Sequence, residues 1–169
     1  MGTTTFSGPV RSENGFKSIT KNATTGTITE ITTMGGAPVS LADGNVTLTN
    51  ATHSGRALIV PDGTQDNTYT LPAPVAGSYF TFVYGGGAAD ATDFIVDTGS
   101  NTNFFIGGVA FHDTDDGAAS VVFSDGNSNS KIQVNVPASA QIHIMGLDGT
   151  NYQIWGTVVG ATAPAFADQ

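Results

Sequence analysis

The sequence predicts an all-β fold, a jelly-roll-like β-sandwich or flattened barrel with an extended N-terminal arm. Three observations carry this. Short alternating or β-branched segments follow one another from Val46 to Val159, each closed by a turn rich in Gly, Asn or Asp. Charged residues make up only 11% of the 169-residue chain, so Thr, Ser, Asn and Gly supply most of its polarity. These suit strands and tight turns more than helices. Residues 1–38 differ from the rest in having only a few widely spaced large apolar side chains.

The arm, residues 1–38, carries Phe6, Val10, Phe16, Ile19, Ile28, Ile31 and Met34, too sparse for a core. Gly8-Pro9 and Asn14-Gly15 mark turns between extended pieces. Thr27–Thr33 alternates loosely and suits a first strand. The run Gly35–Pro38 sets the boundary to the body, residues 39–169. There the strand segments are Val46–Thr49, Ala57–Val60, Thr68–Leu71, Tyr79–Tyr84 and Phe94–Val96, then Phe104–Phe111, Ala119–Phe123, Lys131–Val136, Gln141–Met145 and Tyr152–Val159. Ala57–Val60 is a continuous apolar run before Pro61-Asp62-Gly63, as a strand covered on both sides would be. Tyr79–Tyr84 separates Phe80 and Phe82 from Tyr79, Thr81 and Val83. Gly107-Gly108 calls for a bulge or sharp bend. Gln141–Met145 and Tyr152–Val159 form the clearest hairpin, around an Asp148-Gly149 turn of the positive-φ type. No sequence repeat of the length that builds solenoids stands out.

The net charge of −9 argues against nucleic-acid and anionic-membrane partners, which need clustered Lys and Arg. It is unevenly placed. Arg11, Lys17 and Lys21 outweigh Glu13 and Glu30 by one in residues 1–30, whereas Arg56 and Lys131 face twelve aspartates beyond them. The absence of cysteine excludes disulfides and thiolate chemistry and suits a reducing cytoplasm. Residues 1–9 lack the basic start and apolar stretch of a signal peptide, and Asn103–Phe111, the most apolar run, is far too short to span a membrane.

No catalytic motif is apparent. His53, His112 and His143 stand at no ligand spacing, and His112 and Asp113 point to opposite sides of a strand. Asp113–Gly117 is a turn with only a faint likeness to a calcium loop. Only two glutamates exist, both in the arm. Trp155 and Tyr152 lie on opposite faces of the last strand, and Trp155 is assigned to the core rather than to a ligand platform. The expectation is a protein that is not an enzyme and holds no metal or other cofactor.

Three stretches carry a family resemblance: TTTFSGPVRSENGFKSITKNATTG, TYTLPAPVAGSYFTFVY and LDGTNYQIWGTVV. The chain resembles small β-rich virion proteins of tailed bacteriophages, marine podovirus-like, that decorate heads or form short fibres. It departs from their closing motif in placing Gln153 between Tyr152 and Ile154. The resemblance implies a capsid decoration (cement) protein, made in the host cytoplasm and resident on the capsid surface. Its partners would be the major capsid protein, or another virion protein, and further copies of itself, as a homotrimer. Phe6, Phe16, Ile19 and Ile31, with Arg11, Lys17 and Lys21 around them, are the expected capsid-docking residues. A short tail-fibre or receptor- and glycan-binding role is the alternative. An ice-binding role, suggested by Thr-x-Thr pieces, lacks the fixed period that a flat ice face needs.

Overall fold

Period-two alternation organises the chain into three sheets in the computed structural model, which describes residues 16–34, 36–84, 86–87 and 92–169. The first sheet is a hairpin of β1 (Phe16–Lys21) and β2 (Ile28–Met34). The segment expected to lie extended thus doubles back on itself. Its loop explains why. The Asn22 side-chain oxygen accepts hydrogen bonds from the amides of Thr24 and Thr25, at 2.8 and 3.0 Å, and Gly26 takes φ +74°. That backbone angle favours glycine.

The body continues with β3 (Val39–Ser40), β4 (Val46–Thr47), a single helical turn α1 (Asn50–His53), β5 (Arg56–Val60), β6 (Asn67–Thr70), β7 (Tyr79–Tyr84) and β8 (Phe94–Asp97). It ends with β9 (Phe104–Asp113), β10 (Ala119–Phe123), β11 (Lys131–Val134), β12 (Pro137–Gly146), β13 (Asn151–Gly160) and β14 (Ala165–Ala167). Thr49 caps α1 by accepting from the Thr52 amide.

The seven-stranded sheet has the order β10-β9-β13-β12-β7-β5-β3, and the five-stranded sheet the order β14-β11-β8-β6-β4. In the first half the strands alternate between the two sheets. β3, β5 and β7 stack in parallel in one, and β4, β6 and β8 stack in parallel in the other. The chain therefore winds through three coils of roughly twenty to twenty-seven residues, as a β-solenoid does. A jelly roll is built from antiparallel Greek keys, so this connectivity corrects the finer part of the expectation while the all-β sandwich stands. The coils carry no matching sequence repeat. The second half caps them with antiparallel strands: β12 on β7, β13 on β12 and β11 on β8. β13 then pairs in parallel with β9.

One apolar layer fills the space between the sheets. Leu58, Phe80, Phe82, Phe105, Ile142 and Ile154 from the large sheet meet Tyr69, Phe94, Val96, Ile132 and Val134 from the small one, all buried. Tyr69 packs on Phe82 across the layer, with ring centroids 6.2 Å apart. Tyr152 is fully buried, yet its hydroxyl donates to the Pro72 carbonyl at 2.7 Å, which removes the cost of burying it.

Two local devices hold the layers in register. The chain changes sheets between β11 and β12 at Asn135-Val136, where Val136 takes φ +35°, a strained angle for a β-branched residue. Asp93 clamps this corner from the start of β8: one carboxylate oxygen accepts from the Val136 amide at 2.9 Å and the other from Gln133 Nε2 at 2.7 Å. The second device is Gly107, at φ +109°, where a Cβ would run into the Ile154 carbonyl of β13. β9 passes through Gly107-Gly108 with no register shift against β10 or β13, so the glycines serve close strand approach rather than the expected bulge. At the tip of the β12–β13 hairpin, Gly149 is absent from the positive-φ glycines. The Asp148 carboxylate closes that loop instead, on the Thr150 and Asn151 amides.

Asp93→Ala should therefore destabilise the protein by about 2–3 kcal/mol, since it leaves a strained amide unpaired. Tyr152→Phe should cost about 1 kcal/mol. Urea unfolding measures both. An Asp93→Ala variant as stable as the parent would remove the corner clamp from this account.

Candidate interaction surfaces

Two surfaces expose large apolar side chains, and they differ in charge and in attachment. The first is the hairpin. Register pairs Lys17 with Thr32, Ile19 with Glu30 and Lys21 with Ile28, so Lys17, Ile19, Lys21, Ile28 and Glu30 share one face. Ile19 and Ile28 are 62% and 58% exposed, and Phe16, beyond a register shift, is 42% exposed. Lys17 Nζ meets Glu30 Oε2 at 3.0 Å, an ion pair too exposed to contribute much stability. Among the described residues the hairpin pairs with no strand of the body, and β2 passes against α1.

Of the residues expected to dock, the hairpin thus brings Lys17, Ile19 and Lys21 together on one face. Phe16 stands at the end of the same strand. Ile31 pairs with Ser18, in the opposite alternation phase. Phe6 and Arg11 lie outside the described residues.

The second surface is the outer face of the seven-stranded sheet. Pairing sets Ala57, Thr81, His143, Trp155, Gly108 and Phe123 in one row across six strands. Ile59, Val83, Gln141, Thr157, Ala110 and Val121 form the next. No Asp, Glu, Lys or Arg stands in either row, and none of the twelve residues is buried. At the centre three rings pack together. His143 stacks on Trp155 with centroids 5.5 Å apart and on Tyr79 at 5.9 Å. His143 Nδ1 lies 2.7 Å from the Tyr79 hydroxyl and 3.2 Å from that of Thr81. The three rings thus hold one another in place.

Trp155 is 38% exposed, which corrects its assignment to the core; Tyr152, on the other face of β13, is the buried one. The alternation of Gln141–Met145 already set His143 opposite Ile142 and Ile144. Nothing local in the sequence indicated that Tyr79 and Trp155, from two other strands, would flank it.

The acidic turns do different work. In the β9–β10 turn, Asp113 and Asp116 accept from the Asp115 and Ala118 amides at 2.8 and 2.7 Å. Among the described residues, no group of three His, Cys, Asp or Glu side chains is arranged to hold a metal ion, and no helix is long and apolar enough to cross a membrane. Comparison with known proteins returned no match to a family model, a curated protein or a solved structure.

The titrating groups give the fold two acid-sensitive ranges. Desolvation holds His143 below its ordinary 6.5, and burial does the same to His53, with the Arg56 charge adding to it. Below pH 6.5 the unfolded chain therefore takes up these protons first, and stability declines until the folded histidines are protonated too. Asp43, Asp125 and Asp148 are held below 3.8, led by hydrogen bonds from the Thr64 amide, the Ser128 hydroxyl and the Asn151 side chain respectively. Their contribution is complete above 3.8 and is lost as pH falls further. The melting temperature should thus fall in two steps, and a His53→Gln/His143→Gln variant should lose the first. Persistence of that step in the double variant would assign it to other groups.

Proposed function

We propose that this chain is a virion structural protein that decorates a bacteriophage capsid, docking on the major capsid protein through its N-terminal hairpin. The observation that carries this reading is a two-stranded sheet outside the body's two sheets, with Ile19 and Ile28 open to solvent. A two-stranded hairpin alone is marginal in water and gains stability when a surface covers its apolar side chains. Each isoleucine covered contributes roughly 1.5–3 kcal/mol. Repetition of the contact over a capsid lattice multiplies this by avidity, offset in part by the ordering of the arm.

Charge supports the same division. Lys17 and Lys21 outnumber Glu30 on the hairpin face, whereas residues 31–169 carry twelve aspartates against Arg56 and Lys131. The charged surface of the body repels other acidic surfaces, and the hairpin is the segment that lacks that charge. The likeness of the opening stretch to the arms of phage head proteins supplies the class of partner.

The test is co-sedimentation with empty phage heads. The full chain should pellet with heads, and Ile19→Asn/Ile28→Asn should lose at least tenfold in affinity with its circular dichroism unchanged. Deleting residues 1–34 should leave a folded body that stays in the supernatant. Decoration by either variant at the level of the parent would place the docking surface on the body.

A further inference from the structure

We infer that the outer face of the seven-stranded sheet is a self-association surface, covered by further copies of this chain. The inference rests on the body alone and is independent of what the hairpin docks on. A sandwich of two sheets has two outer faces, and here they differ. The outer face of the five-stranded sheet carries Asp97 beside Lys131, as a water-facing sheet does. The rows through His143 and Gln141 on the seven-stranded sheet carry no charge, and none of their residues is buried.

Size argues for a macromolecular partner. Five strands at about 4.8 Å spacing, with about 3.3 Å per residue along each, give β10-β9-β13-β12-β7 a face on the order of 600 Å². An uncharged face of that extent stands out on a chain with twelve aspartates, and two such faces together clear the roughly 1,000 Å² that a specific interface needs.

Charge argues that the partner is a copy of this chain. With a net charge of −9, two copies repel through most approaches. The uncharged face is where they meet with least repulsion, and it leaves no unpaired charge to bury. It offers no cation to an acidic partner and no anion to a basic one. Its centre has the composition of an interface core, with Tyr79, His143 and Trp155 already stacked and Val121 and Phe123 exposed at the β10 edge. Prepacked rings lose little freedom when covered.

Trp155 is the only tryptophan, so it reports on this face directly. Light scattering of the full chain at tens of micromolar should give a mass of two or three times 17.2 kDa. Dilution should lower the mass and shift Trp155 emission to the red in step. Thr157→Asp, an exposed position in the adjoining row, should give a monomer at every concentration, with unchanged circular dichroism and red-shifted emission. Ile19→Asn/Ile28→Asn should keep the parent mass, which separates this surface from the docking hairpin. A monomer whose emission does not change with concentration overturns the inference, as does an oligomer indifferent to Thr157→Asp. Emission of a monomer that responds to neutral oligosaccharides also overturns it, in favour of a glycan platform.

Discussion

The structure depends on one shared layer of apolar side chains between the two body sheets. Each strand that contributes to it turns alternate residues inward, as Leu58 and Val60 do from β5, or Ile132 and Val134 from β11. The coil of the first half and the antiparallel strands of the second are two ways of filling the same layer. Because the layer is common to both, a fault at the sheet-changing corner would be felt across both sheets. That is where Asp93 restrains the strained Val136. Tyr69 and Tyr152 belong to the same constraint. Burial pushes the Tyr69 hydroxyl up to about 12 and raises that of Tyr152 further, so both stay neutral where a charge would be costly.

Charge is handled by the turns. Asp43, Asp125 and Asp148 each accept backbone amides in or beside a loop, and Asp113 and Asp116 do so between β9 and β10. The residues that give the protein its acidity are thus the ones that close its loops. The consequence reaches the sheet faces. With carboxylates used at loops and strand ends, the outer rows of the seven-stranded sheet are left to Thr, Gln, His and apolar residues. The hairpin, with Lys17 and Lys21, forms its own sheet and lacks the acidity of the body.

The sequence by itself determined the all-β class, most strand positions and the face on which each strand residue stands. Tyr79–Tyr84 and Ala119–Phe123 match the observed strands end to end, and the opposition of Tyr152 to Trp155 is present. These are local properties, set by period-two alternation and by turn chemistry within a few residues. Tertiary structure decided everything that depends on which strands become neighbours. The parallel stacking of β3, β5 and β7 joins residues far apart in the chain and has no repeat to announce it. Trp155 became a surface residue because a two-layer sandwich has no third layer to cover the outer side of β13. The grouping of Tyr79, His143 and Trp155 arose because β12 lies between β7 and β13, a long-range choice made by packing.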